Sequence, residues 1–511
     1  MVKYYHNSVA MSTIILNYFF RRKNRFRDQK VARLNRRVCP CVIDIKYNPK
    51  MSRRWSILLG PAAGLILFLA LESSSLPHPA KRLAAVLACT IVWWMTECMP
   101  LGIGALLAGT ACVALKIAPA KVVLAPYADP VIFLFMGSFW LASAMSLHGL
   151  DRRIALSILS IPWISSGPRQ MIIGVGLVSG FISMWISNTA ATAMLLPIVL
   201  GLLASFPGRS KSRDLESRTL LMLTFGASIG GLATPIGTPP NLIGRGLLSS
   251  LAGVDLGFLD WVKMALPATI ASLAFIVWLL SRGLSSDDHG TSSLKKYLEA
   301  QRSSLGKWSR GELNTAFALA VAAALWLGVT KMWPEGISAI MAAGLLFLLP
   351  DSKGEPTLPW DEAVRIDWGV LLLFGGGLSL GNLLFETKLA EWAGATLVQT
   401  LGIRSAFGIT GISAFIALIT SELANNTASA NIGVPSAIAL AKSAGVSSAL
   451  PALAATLASS FGFILPSSTA PNAIVYGTGK VRLRDMIRFG LALDIFGFFL
   501  LWWGLPFIVS R

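Results

Sequence analysis

Two polar triplets stand inside otherwise apolar stretches: Ser187-Asn188-Thr189 in "ISNTAATAMLLP" and Asn425-Asn426-Thr427 in "LANNTASA". Each follows a serine, Ser183 or Ser421, placed four residues before the triplet's first residue. Hydroxyls and amides offer N–H and O–H groups to an anion and lone pairs to a cation. A second pair of motifs lies farther along, "GTPPN" (Gly237 to Asn241) and "STAPN" (Ser468 to Asn472). Pro239 and Pro240 remove two backbone donors and break a helix, freeing carbonyls; "STAPN" keeps one of the two prolines. The two motifs recur in the same order, at offsets of 238 and 231 residues.

A Na+ ion takes several hard oxygen ligands. Ser183, Ser187 and Asn188, with carbonyls near Gly237, supply one set without a carboxylate. Ser421 and Asn426, with carbonyls near Ala424 and Ser468, supply another. An anion between the tips would meet Ser187, Asn188, Thr189, Asn425, Asn426 and Thr427, with Thr238 and Thr469 at the breaks. It would also face two helix N-termini, where free N–H groups and the helix dipole favour negative charge. A single triplet reads equally as a cap on a close-packed membrane helix. The repeated pair, each with a Pro-Asn break, favours a ligand site.

The elements that hold these residues are apolar helices. The chain has 511 residues, is 54% hydrophobic and 14% charged, and has a mean hydropathy of +0.64. That composition excludes a soluble globule and places it among polytopic membrane proteins, with the lipid bilayer as solvent. Spans are expected near 56–71, 83–98, 100–115, 130–148, 219–250, 261–281, 314–330, 336–350, 368–385, 452–478 and 486–508. The fold class is all-α: about eleven transmembrane helices plus two re-entrant hairpins in an inverted repeat. The hairpins fall where the apolar stretches on either side of each triplet, such as Met171 to Ile186 and Ala190 to Ala204, are short of the ~20 residues a span needs. They divide the chain into a first half (51–250), a sixth span with a cytoplasmic linker (251–313) and a second half (314–511).

Charge sets the orientation. With the N-terminus in the cytoplasm, most Lys/Arg after Met51 fall inside, in loops such as Arg152/Arg153, Arg209 to Arg218 and Lys480 to Arg488, and the C-terminus falls outside. The first hairpin then enters from the cytoplasm and the second from the exterior, as an inverted repeat demands. Residues 1–50 hold 12 Lys/Arg against Asp28 and Asp44. This basic extension could serve a nucleic acid, an anionic lipid or a transit function, but "MSRRWSILLGP" from Met51 is itself an ordinary start. No function and no nucleic-acid partner is assigned to it.

At the triplets, and in "WWMTECMPLGIGALL" (Trp93 to Leu107), "FLFMGSFWLASAM", "LDRRIAL", "WGVLLLFGGGLSL" and "STAPNAIVYGTG", the sequence resembles the divalent anion/sodium symporter family. The likeness covers nearly all of Met51 to Arg511. It implies a cell-membrane homodimer of scaffold and transport domains working as an elevator, carrying a di- or tricarboxylate or sulfate with sodium. By that resemblance Ser187, Asn188, Thr189, Asn426 and Thr427 contact substrate carboxylates. Ser183, Ser187, Asn188 and Gly237 form one sodium site, and Ser421, Ala424, Asn426 and Ser468 the other. Two departures bear on this: Asn425 stands where a serine is expected, and Ala470 where the first repeat has Pro239.

The expectation is a secondary transporter of a small dicarboxylate such as succinate or malate by sodium symport. A sodium-independent dicarboxylate exchanger and a sulfate symporter remain as alternatives, ahead of a channel. No nucleophile with a base, and no organic cofactor site, is legible, so an enzyme is not expected. Of the four histidines, His6, His78, His148 and His289, only His148 lies near a span. Glu97, Glu386, Glu422 and Asp494 lie in or beside apolar runs, where an ionisable group is a functional suspect. Glu97 and Glu386 read as solvated span ends. Glu422 or Asp494 could carry a proton in a proton-coupled variant, with a buried neutral carboxyl the favoured reading of Asp494. Trp93-Trp94 and Trp502-Trp503 read as interfacial belts.

Overall fold

The computed structural model describes residues 49–205, 212–284, 291–328 and 333–509, so all but the last two residues of the basic extension 1–50 lie outside the described residues. Among the described residues there is no β-strand, only an isolated bridge between Pro350 and Pro356. The helices are α1 (Pro49–Ala70), α2 (His78–Thr96), α3 (Leu101–Ala114), α4 (Pro130–His148), α5 (Leu150–Leu159), α6 (Pro168–Ser183) and α7 (Asn188–Ala204). Then come α8 (Ser212–Gly230), α9 (Pro239–Ala252), α10 (Phe258–Ser281), α11 (Thr291–Ser303), α12 (Arg310–Gly328) and α13 (Glu335–Leu348). The remaining helices of seven residues or more are α14 (Trp368–Glu386), α15 (Leu389–Leu401), α16 (Ala406–Leu423), α17 (Asn426–Ser443), α18 (Ala449–Ala458), α19 (Ala470–Tyr476) and α20 (Leu483–Phe499), which runs on to Val509.

Local sequence explains the ends. Asp129 caps α4 through Val131 N, Pro130 supplies its first position, and Gly149 at φ +75° closes it. Among the described residues six helical stretches are long and apolar enough to cross a bilayer on length and composition alone: Ala120–His148, Phe258–Ser281, Arg310–Gly328, Trp368–Glu386, Ala406–Leu423 and Leu483–Val509. Shorter apolar helices such as α3 and α13 accompany them. An outward apolar face is plain on α1, where Trp55, Leu58, Ile66 and Leu69 are exposed, as lipid contact requires.

The structure differs from the expected continuous spans at 219–250 and 452–478. Both are broken: α8 ends at Gly230 and α9 begins at Pro239, while α18 ends at Ala458 and α19 begins at Ala470. Pro239 and Pro240 occupy the first two positions of α9, where their missing N–H groups have no intrahelical partner to lose. The expected hairpins are the antiparallel pairs α6/α7 and α16/α17, joined through residues 184–187 and 424–425.

Packing crosses between the two halves. α6 lies on α8 and α16 on α18, whereas α7 packs against α19 and α17 against α9. Thr224 on α8 donates to Asn472 Oδ1 on α19 at 2.8 Å, tying residues 248 apart. A separate apolar cluster from α2, α3 and α14, including Leu83, Trp94, Ala105 and Leu380, takes in Ala424 and Ala428 on either side of the second tip. Trp94 is only 3% exposed and its Nε1 donates to Leu101 O, so it belongs to this core and not to an interfacial belt.

Candidate functional site

Each triplet sits at the tip of its hairpin, and its first residue caps the second helix. Ser187 Oγ accepts from Ala190 N at 3.3 Å, and Asn425 Oδ1 from Ala428 N at 2.9 Å. The caps leave the first N–H groups of α7 and α17 without intrahelical acceptors, pointing out of the tip. Ser183, on the last turn of α6, donates to Asn188 Oδ1 at 2.7 Å; Ser421, on the last turn of α16, donates to Asn426 Oδ1 at 2.9 Å. The same contact thus forms at both tips.

Each tip faces the break of a neighbouring helix. A β-carbon on Gly237 would lie 2.6 Å from Gly231 O and 2.9 Å from Ser183 O. One on Gly231 would collide with Asn188 Oδ1. Backbone oxygens and an amide oxygen therefore converge on a space that glycine leaves open. At the second tip a β-carbon on Gly462 would stand 3.1 Å from Ser421 Oγ and 3.2 Å from Asn426 Oδ1. Ser468 is buried there, donating to Gly462 O at 2.7 Å. Both cradles have neutral oxygen donors of the kind a hard monovalent cation takes from unwound helices.

The breaks are held open by two asparagines to which the sequence reading gave no role. Asn241 Nδ2 donates to Gly231 O at 2.9 Å and Thr234 O at 2.8 Å, and Asn472 Nδ2 to Gly462 O at 3.0 Å and Leu465 O at 3.2 Å. Both asparagines are fully buried. A carbonyl has two lone pairs, so Gly231 O keeps one free, whereas Gly462 O accepts from both Asn472 Nδ2 and Ser468 Oγ. Their only sequence signal was the shared Pro-Asn pair; Gly231 and Gly462 carried none.

The remaining expected residues fall around these cradles. Thr189 and Thr427 follow the cradle asparagines in the first turns of α7 and α17, both half-buried. Thr238 and Thr469 cap α9 and α19; Thr469 Oγ1 accepts from Asn472 N, while Thr238 makes no cap bond. Ala424 lies buried at the C-terminal end of α16 with φ −116° and ψ −102°, outside helical geometry. Ser187 is exposed, its oxygen engaged in the cap and its hydroxyl proton free.

Three acidic groups lie near the second tip. Glu422 Oε1 accepts from Ile464 N at 2.8 Å beside the buried Asp494. Glu97, expected at a solvated span end, is exposed at the end of α2 and also accepts from Asn425 Nδ2 at 3.1 Å.

The family described as the sodium:sulfate symporter transmembrane region matches residues 51–508. The chain belongs to it. This symporter-family chain is a polytopic membrane transporter and not an enzyme, as the family and its relatives are transporters. It is 31% identical over 467 residues to a sodium-dependent dicarboxylate transporter SdcS of Staphylococcus saprophyticus, covering 86% of this chain and 88% of that one. It is 30% identical over 470 residues to the protein of the same name from Staphylococcus aureus USA300, with the same coverage. In fold it resembles the Alcanivorax borkumensis YdaH transporter at TM-score 0.51 and 14% identity, covering 90% of this chain and 99% of that one.

Proposed function

We propose that this chain is a secondary active transporter that moves a small dicarboxylate, such as succinate or malate, with sodium. The observation that carries the reading is the matched pair of oxygen cradles. Each joins a serine one turn back, a triplet asparagine and a glycine at a helix break, and each lies beside helix N-termini suited to an anion. In this reading Ser183, Asn188 and Gly237, with Ser187 and the carbonyl of Gly231, hold one sodium ion. Ser421, Asn426 and Ser468, with Ala424, hold the second. Ser187, Asn188, Thr189, Asn425, Asn426 and Thr427 face the anion, with Thr238 and Thr469 beside them. The relatives' sodium-dependent dicarboxylate transport supports the choice of cargo.

The crosswise packing of α7 on α19 and α17 on α9 is what two halves of opposite orientation would produce, and supports the inverted repeat. We extend the reading to eleven crossings and two re-entrant hairpins, with a cytoplasmic N-terminus and an external C-terminus. The family likeness supports a homodimer in which the hairpins and broken helices move as an elevator.

The test is uptake of labelled succinate by proteoliposomes under an inward Na+ gradient, with choline substituted, and with unlabelled dicarboxylate preloaded. Symport predicts uptake that collapses in choline and in Asn188→Ala. Uptake that ignores Na+ and needs internal dicarboxylate would replace it with exchange, the second reading, which the Asn425 and Ala470 departures favour. Sulfate uptake that excess succinate leaves unchanged would count against a dicarboxylate.

A further inference from the structure

Asn425 is the one triplet position at which the two tips differ in side chain, serine at one and asparagine at the other. Its side chain is held at both ends: Oδ1 caps Ala428 N, and Nδ2 donates to Glu97 Oε1. Glu97 closes α2 in the left-handed region, at φ 45° and ψ 33°, a conformation non-glycine residues seldom take. That turn brings its carboxyl to the N-terminal end of α17. Among the described ion pairs none involves Glu97. Ala424 and Ala428 pack with α2 and α3, so this exposed contact sits at the edge of a packed interface.

A helix N-terminus with a side-chain amide attracts an anion. Here an internal carboxyl already stands there. A substrate with two carboxylates can use the first triplet and the Asn426-Thr427 end of the second. A third carboxylate would need the Asn425 amide, where it meets another acidic group. We propose that Glu97 is a specificity-determining residue: held by Asn425, it fills the place a third carboxylate would take and restricts the site to dianions. This rests on the dicarboxylate reading above.

The test measures how well malate and citrate inhibit labelled succinate uptake in proteoliposomes. The readout is the ratio of the citrate to the malate concentration giving half-inhibition. Glu97→Ala should lower that ratio about tenfold, the scale of one charge-assisted hydrogen bond gained in place of a repulsion. Glu97→Gln, which keeps the shape, should lower it less, and adding Asn425→Ala to Glu97→Ala should abolish the gain. A ratio unchanged in both Glu97 variants overturns the proposal. Failure of the wild type to take up succinate strikes the dicarboxylate reading itself. The Glu97 proposal is then decided by thermal stabilisation of the purified protein, where Glu97→Ala must raise the effect of citrate relative to succinate. No such rise overturns it.

Discussion

At the scale of single residues, the oxygens proposed to hold cations depend on glycines more than on the polar letters around them. A methyl group on Gly462 would enter within 3.2 Å of Ser421 Oγ and Asn426 Oδ1. Gly462→Ala should therefore raise the half-saturating Na+ concentration for uptake about tenfold, the loss of roughly one ligand's hydrogen-bond-scale energy. Gly344→Ala on α13, which meets nothing within 4 Å, should leave the Na+ curve in place. Identical Na+ curves in the two variants would sink the assignment of the second cradle. The serine-triplet pairs were legible because a polar letter in an apolar run must be explained. Gly231 and Gly462 were not, because a backbone carbonyl carries no letter and the chain has 46 glycines.

At the scale of elements, the asparagine ties decide whether a broken helix stays broken in one shape. Asn241→Ala removes the partner of carbonyls at Gly231 and Thr234, in a region where both ends of the tie are buried. Each unsatisfied buried group costs ~1–3 kcal/mol, so thermal unfolding should begin several degrees lower. The added stabilisation by Na+ should also shrink, because the same carbonyl serves both. The linker between α10 and α12 has its own anchor. Arg153 on α5 pairs with Glu312 at 2.6 Å, donates to carbonyls at 305–307 and stacks on Trp308. Arg153→Ala leaves Glu312 nearly buried and unpaired, which should cost about 3 kcal/mol in unfolding measurements. Hydropathy located these elements but ran straight through their breaks. Residues 231–238 are small or apolar, and the prolines mark the start of the next helix, not the end of the previous one.

At the scale of the whole molecule, the proposed orientation places the α13–α14 loop inside and the α17–α18 loop outside. In a chain with its five cysteines replaced by serine, a membrane-impermeant maleimide should label Ser447→Cys in intact cells. It should reach Lys353→Cys only after permeabilisation; the reverse pattern would invert the topology. The all-helical membrane architecture was readable from the apolar runs. Which helix of one half meets which of the other was not, since partner choice is a matter of surface shape. That crosswise partnership bears on biogenesis. The chain leaves the ribosome from its N-terminus, and α7 and α8 are complete long before α19, the helix they pack against, has been made. The first half must wait in the lipid with a gap in its broken helix and a buried threonine facing an asparagine 248 positions downstream. Contacts of such long range form late and slowly. A chain truncated after α18 should accordingly be inserted yet degraded, its earliest helices failing for want of its last.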